Sequence, residues 1–425
     1  MTTSNLTSIA LTGIVVASVW LTSLDVQAQT DVAAPGYVLQ RAVVVMRHGV
    51  RPPTRSAADL QQYSDQAWPD NAAWGAAPGE LTPHGALAIT RLGQDLRSYY
   101  AQTGLIPASG ASALHMLVWA DGADQRTRAT AQRMAAALSG DNPSPGSADW
   151  VSGKADPLFD GLGSGICKLN KDLARQAVLA QSPIDTPEVQ SALRKMQNVL
   201  APEACSGGRG MCLNGVDQLT VSEGGVKLTG PLATGATVSE ALVLEYENGL
   251  PMNQVGFGRV DAASIAALQV LHEQSANLTR RTPYIATRRA YALTRFILDA
   301  LEQDSDSATV PAINEQQHLI LLVGHDTNLS NLAGVFGLDW HLDQQPDSTA
   351  PGTALAFERW HNPVTGQTVL RMRLFYQTLD QVRQLSGAPA RQIPIEPAAC
   401  RHSGACDVAG FAAAIDATLP KDCTP

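Results

Sequence analysis

Val43-Val44-Val45-Met46-Arg47-His48-Gly49-Val50-Arg51-Pro52-Pro53-Thr54-Arg55 is the stretch from which the fold is read. An apolar, β-branched run stops at a bend and delivers two arginines with a histidine between them. Such runs are buried parallel strands, covered on both faces. In open α/β sheets, ligands bind just past the carboxyl ends of these strands. Arg47 and Arg51 offer planar forks suited to phosphate oxygens and stay charged at any working pH. His48 has a ring nitrogen able to attack phosphorus. Gly49 lets the backbone approach a ligand or take a positive φ, and Pro52 and Pro53 stiffen the exit. Taken alone, the segment also fits a strand that ends in a solvated basic turn.

A second apolar run ends in the same manner far downstream, in Ile320-Leu321-Leu322-Val323-Gly324-His325-Asp326-Thr327-Asn328-Leu329. The first stretch resembles the RHGxRxP signature of the histidine acid phosphatases, a branch of the histidine phosphatase superfamily. The second resembles that family's HD motif. Leu81-Thr82-Pro83-His84-Gly85, Asp124-Gln125-Arg126-Thr127 and the Gly352–Trp360 strand resemble it further. Together with the cysteine layout these stretches span most of the chain, and they look closest to bacterial periplasmic phytases, with the glucose-1-phosphatases as relatives.

The resemblance implies a chemistry. His48 attacks phosphorus and becomes a phosphohistidine, which splits one hard step into two. Arg47, Arg51 and Arg126 clamp the equatorial oxygens, with His325 as a further donor. Arg128, two residues on from Arg126, is the structural alternative for the third arginine. Asp326 protonates the leaving oxygen and its carboxylate then activates water. An acid of that kind predicts an acidic optimum. Thr54, Asp121 and Glu240 line the pocket by the same resemblance. Arg55 stands where the phytases carry a lysine, which keeps the charge and changes its shape. Arg281 is the second expected remote phosphate contact. The expected reaction is phosphomonoester hydrolysis, phytate foremost, without metal or cofactor. The alternatives are a glucose-1-phosphatase or broad-specificity acid phosphatase and, more remotely, a non-catalytic periplasmic binder of phosphate esters. The other seven histidines, His84, His115, His272, His318, His341, His361 and His402, are scattered and read as structural.

Composition bounds these readings. The chain has 425 residues, 44% hydrophobic and 16% charged, enough for two domains or one with a large insertion. Ile9 to Leu21 is an apolar run too short to span a bilayer comfortably, and Val26-Gln27-Ala28 offers a cleavage site. Residues 1–28 therefore read as a signal peptide cleaved near Ala28, although no Lys or Arg precedes Arg41. The formal net charge of −9 argues against a nucleic-acid or anionic-membrane partner. A small phosphate ester bound by a monomer in the periplasm or outside the cell is expected instead. Six cysteines behind a signal peptide imply disulfides, with fifteen possible connectivities. Loop closure favours Cys205–Cys212 and Cys400–Cys406, leaving Cys167–Cys423, and the family resemblance implies the same three pairs.

The fold class is α/β: a mostly parallel central sheet flanked by helices, with a smaller, mainly helical insertion domain capping the active site. Its parts are residues 29–150 and 261–425, the two halves of the α/β domain, and 151–260, the insertion. Strands are expected at 42–46, 115–120, 318–323, 353–360 and 368–376. Helices are expected after Pro83, from Thr186, over 233–248, and near 261–279 and 284–303.

Overall fold

A computed structural model of the chain describes residues 1–2, 36–108, 115–140, 147–151, 156–181, 183–303, 311–401 and 405–423. The apolar run from Ile9 to Leu21, the cleavage site near Ala28 and His402 lie outside the described residues. Strand β1 (Val38–Arg47) is buried from Ala42 to Arg47. Its neighbours β5 (Leu319–Gly324) and β2 (Met116–Ala120) run parallel to it in the order β2-β5-β1. Beyond β1 lie β6 (Ala354–His361), β7 (Thr368–Tyr376) and β8 (Arg391–Ile395), each antiparallel to the strand before it. The sheet is therefore mixed. Four of its six strands, β2, β5, β1 and β7, point the same way, and the parallel pairing is confined to the three that carry the signature stretches.

Both faces of this sheet are covered. Val43, Val45, Ile320, Leu322, Leu355 and Phe357 pack with the helices Tyr291–Glu302, Asp326–Phe336 and Val408–Asp416. Val43, Val44 and Val45 are each 0% exposed, and burial of one such side chain stabilises by about 1.5–3 kcal/mol. A second apolar cluster gathers the helices Pro187–Leu200, Pro231–Glu247 and Ala262–Ala276, so the helical body continues past residue 260. It also carries a hairpin, β3 (Gln218–Ser222) with β4 (Gly225–Thr229), that the helix-rich pattern hid. The disulfides are Cys167–Cys423, Cys205–Cys212 and Cys400–Cys406. No helix among the described residues is long and apolar enough to cross a membrane.

Local chemistry fixes the loop after β1. Thr82 caps the Pro83–Gln102 helix through its side chain, accepting from the Gly85 amide at 2.9 Å, and Pro83 takes the first helical position. The Thr82 amide donates to the Val50 carbonyl at 3.0 Å. A Cβ on Gly85 would stand 2.5 Å from that same carbonyl, and one on Gly49 would stand 2.7 Å from Ile89. Two glycines thus let the signature loop lie flat on a helix start.

Candidate active site

The three parallel strands end side by side, and their carboxyl ends deliver most of the polar groups. From β1 come Arg47, His48 and Arg51, all buried. The His48 amide donates to the Gly324 carbonyl at 3.0 Å, which stitches the β1 exit to the β5 exit. His48 Nδ1 lies 2.8 Å from the Gly49 carbonyl oxygen. A carbonyl can only accept, so Nδ1 carries the proton and Nε2 keeps its lone pair. Burial, then the positive charges of Arg47 and Arg51, hold the imidazole pKa well below its ordinary value. Burial and these charges thus favour the neutral, nucleophilic form of His48.

After β2, Asp121 accepts from the Ala123 amide at 3.1 Å and lies 3.1 Å from His325 Nε2. Its bonds to His325 and Ala123 outweigh burial and lower its pKa. Arg126 forks onto both oxygens of Asp124 at 2.9 Å and donates to the Gly79 carbonyl at 3.2 Å. Burial and the charge of Arg51 lower its own pKa, which places it within electrostatic reach of the arginines on β1. Arg128 instead turns back onto the Gly122 carbonyl and takes the structural place.

After β5, Asn328 accepts from the His325 amide at 2.8 Å and donates to the Phe159 carbonyl at 2.7 Å, so it sets the HD turn. Asp326 opens the Asp326–Phe336 helix, where the helix dipole favours an anion. Its carboxyl bonds the Arg280 guanidinium and lies 3.8 Å from His272 Nε2. Burial alone would raise the Asp326 pKa. Arg280, Arg47 and His272 outweigh it and hold the carboxyl well below the usual range.

Glu240 reaches in from the Pro231–Glu247 helix. One oxygen accepts from both Arg47 and, at 3.0 Å, Arg51. Burial opposes its charge, yet Arg51 and Arg47 lower its pKa to about 2. Arg47 also donates to Asp347 at 2.9 Å and to the Thr349 carbonyl at 2.7 Å.

Arg47, His48, Arg51, Asp121, Arg126, Glu240, His325 and Asp326 thus form one cluster. Thr54 joins at its rim, since a Cβ on Gly79 would stand 3.5 Å from both Thr54 and Arg126. Arg55 is exposed and donates to the Tyr63 hydroxyl at 2.6 Å. Arg281 does not join. It bonds Glu273 at 3.2 Å and Asn277 at 3.3 Å and lies over the Trp340 ring. Arg280, one residue earlier and on the same π-helical turn over Asn277–Arg281, bonds Asp326. His272, read as structural, faces the same carboxyl. A sequence signal existed: His272, Ala276 and Arg280 follow at four-residue spacing, which puts them on one face. Asp124 stands in the Asp124-Gln125-Arg126-Thr127 stretch with no role assigned to it from sequence, and Asp347 carried no signal, since it lies in an unpatterned loop. Among the described residues no group of His, Cys, Asp and Glu is placed to hold a metal ion.

Residues 38–375 match the model of the histidine phosphatase superfamily, branch 2. The chain belongs to this family. It is 31% identical over 416 residues to the Phytase AppA of Escherichia coli K12, covering 92% of this chain and 94% of that one. It is 27% identical to the glucose-1-phosphatase of Salmonella typhimurium, with the same coverage. Among solved structures, the Hafnia alvei phytase superposes with a TM-score of 0.83 at 30% identity, covering 92% of this chain and all of that one. Histidine phosphatases of this kind are phosphoric monoester hydrolases, and the geometry above is a site for that reaction.

Proposed function

We propose that the protein is an exported acid phosphatase that hydrolyses phytate through a phosphohistidine on His48, with Asp326 as proton donor. The observation that carries this reading is the 2.8 Å contact between Nδ1 of the buried His48 and the Gly49 carbonyl oxygen, which assigns the proton to Nδ1 and leaves the Nε2 lone pair available. In the first step Nε2 forms a bond to phosphorus and the ester P–O bond breaks. The Asp326 proton passes to the departing oxygen. In the second step water attacks phosphorus, gives a proton to the Asp326 carboxylate, and the P–N bond breaks to restore His48 and release phosphate. Arg126 holds the equatorial oxygens, together with Arg47 and Arg51 once Glu240 yields them. His325, ordered by Asp121, adds a donor.

The lowered pKa of Asp326 fits this scheme through the charge of the substrate. A phosphate dianion among the arginines offsets the cations that keep Asp326 ionised, so the bound ester makes its own acid easier to protonate. Phytate is favoured by the similarity to phytases. Hydrolysis of glucose 1-phosphate by the same groups is the second reading, favoured by the likeness to glucose-1-phosphatases. Export to the periplasm or beyond is supported by the leader-like residues 1–28 and by three disulfides.

Labelled phosphate should be trapped on the protein in an acid-labile form and be absent from His48→Ala, whose turnover is abolished. Asp326→Asn should slow phytate far more than an aryl phosphate, whose leaving group needs no proton. Equal losses on both esters would sink the proton-donor role. Chelator should leave phosphate release intact.

A further inference from the structure

Glu247 closes the Pro231–Glu247 helix, seven residues after Glu240 and so on the same face. Its side chain is buried and bonds a single group among the described residues: Oε1 accepts from Gln345 Nε2 at 2.9 Å, and Oε2 has no hydrogen-bond partner. Gln345 gives its second N–H to the Gln377 carbonyl at 3.1 Å, and its Oε1 faces the Asp347 amide at 3.4 Å. A carbonyl only accepts and an amide N–H only donates, so the Gln345 side chain has one orientation. Asp347 Oδ1 takes the amide and the hydroxyl of Thr349 at 2.9 and 3.2 Å, which leaves Oδ2 for Arg47 Nη1 at 2.9 Å. The residue before Gln345, Gln344, sits at φ 61°, a left-handed backbone that a side chain disfavours. Such strain persists where surrounding contacts over-determine it, and it gathers at functional sites.

We propose that Glu247 and Gln345 are positioning residues for the hydrolysis: acting through Asp347, they hold the Nη1 arm of Arg47 still while its Nη2 arm passes from Glu240 to the phosphate. This role rests on the phosphatase reading above. Arg47 is fully buried, and its Nη1 is fixed by Asp347 and by the Thr349 carbonyl at 2.7 Å. Its Nη2 is held by Glu240, and its Nε has no acceptor among the described residues. Nε and Nη2 form one edge of the planar guanidinium, and a phosphate can take that edge side-on. Once Glu240 yields, the cation keeps one of its two hydrogen-bonded carboxylates, and the Nη1 side alone prevents it from turning. One helix thus releases Arg47, at Glu240, and braces it, at Glu247. Burial pushes the Glu247 carboxyl up to about 8, against the opposing hydrogen bond from Gln345. In acid it is therefore neutral, and it braces Gln345 as an acceptor without setting another negative charge beside Asp347.

The test begins with Glu247→Leu, which removes the acceptor. It should lower kcat for an aryl phosphate about 10-fold while KM moves less than about 2-fold, since a misaimed arm costs most in the transition state. Glu247→Gln keeps a carbonyl oxygen for Gln345 and should hold kcat within about 2-fold. Equal losses in the two variants would overturn the brace. In an Arg47→Lys background, which has no second arm to hold, Glu247→Leu should cost less than about 2-fold further. The same loss in both backgrounds would mean a general disturbance of the fold and reject the role. Where Glu247→Leu fails to fold, Gln345→Met carries the same cycle, since it breaks the chain one link closer to Arg47. Calorimetric titration with vanadate, whose five-coordinate form copies the geometry of phosphoryl transfer, reads the brace without turnover. Glu247→Leu should weaken vanadate about 10-fold and inorganic phosphate less than about 2-fold. Equal weakening of the two would overturn the role. Absence of phosphate release by the unmodified protein from every ester would reject the phosphatase reading, and the vanadate comparison would still decide the brace.

Discussion

Asp326 and Glu240 are both carboxylates among the same cations, and their different partners give them different work. Glu240 competes with the substrate, because its oxygen already takes the N–H groups of Arg47 and Arg51 that a phosphate needs. With its pKa near 2 it stays charged through the working range. Glu240→Gln should therefore tighten inhibition by inorganic phosphate, by about 10-fold, equal to about 1.4 kcal/mol. Weaker inhibition would show that Glu240 assists binding. Asp326 must carry a proton to act. The groups that face it are Arg280, Arg47 and His272 on the cationic side and Glu240 on the anionic side. Arg280→Gln removes the nearest cation, so the Asp326 pKa rises. The basic limb of kcat/KM for glucose 1-phosphate should then move to higher pH, and Arg280→Lys should restore it. In the unmodified protein the basic limb of kcat should lie above that of kcat/KM, because the bound phosphate offsets the same cations. Coincident limbs would count against that coupling.

At the scale of elements, the Thr82-Pro83-His84-Gly85 turn is a structural device with a catalytic result. It caps a helix, and its glycine allows the Val50 backbone to press against the first turn. Gly85→Ala should cost on the order of 1–3 kcal/mol of stability by overpacking. Because the displaced segment carries His48 and Arg51, kcat should fall up to about 100-fold. Thermal unfolding and kinetics on one preparation check both, and a fall in melting temperature with intact kcat would show that the loop adapts. The strand-loop modules were legible because each is a β-branched run followed by a fixed polar word. Arg281 reads in the sequence as a remote phosphate contact, and the structure instead commits its guanidinium to Glu273 and Asn277, a choice among neighbouring carboxyl and amide groups that no linear pattern marks. The β3–β4 hairpin escaped for another reason: its short strands alternate weakly and bury only Leu219 and Leu228.

For the molecule as a whole, buried acids set a direction to its pH response. Glu245 and Glu247 are buried on the Pro231–Glu247 helix, and burial raises both pKa values from 4.5 to about 8. Among the described residues Glu245 accepts only from the Gly256 amide, at 2.8 Å. The folded protein thus binds more protons than the unfolded chain between those limits. Stability is full below about pH 4.5 and is lost as pH rises through about 8. The lowered carboxyls Asp121, Glu240 and Asp326 act in the opposite sense, and their contribution disappears in stronger acid. The melting temperature should therefore be higher at pH 5 than at pH 8, and Glu245→Gln should flatten that slope. A higher melting temperature at pH 8 would refute the assignment. No sequence pattern marks these two residues as protonated, since their state depends on helices packed around them from elsewhere in the chain. The sheet shows the same limit. Its parallel half followed from three apolar runs, whereas β8 reads as a polar edge and its pairing follows only from the folded geometry.

The Cys167–Cys423 bond joins positions 256 apart and closes the chain between them into a covalent ring. The ring holds Glu240, His272, Arg280 and Asp326, while Arg47, His48, Arg51 and Arg126 lie on the open tail before it. One cut by a protease inside the ring, for instance at the exposed turn Glu223-Gly224, leaves a single linked molecule. A nick there should be silent on a non-reducing gel and in the activity assay, and should become visible as two fragments only after reduction. An enzyme released into surroundings rich in proteases would carry such injuries without losing either half of its catalytic set.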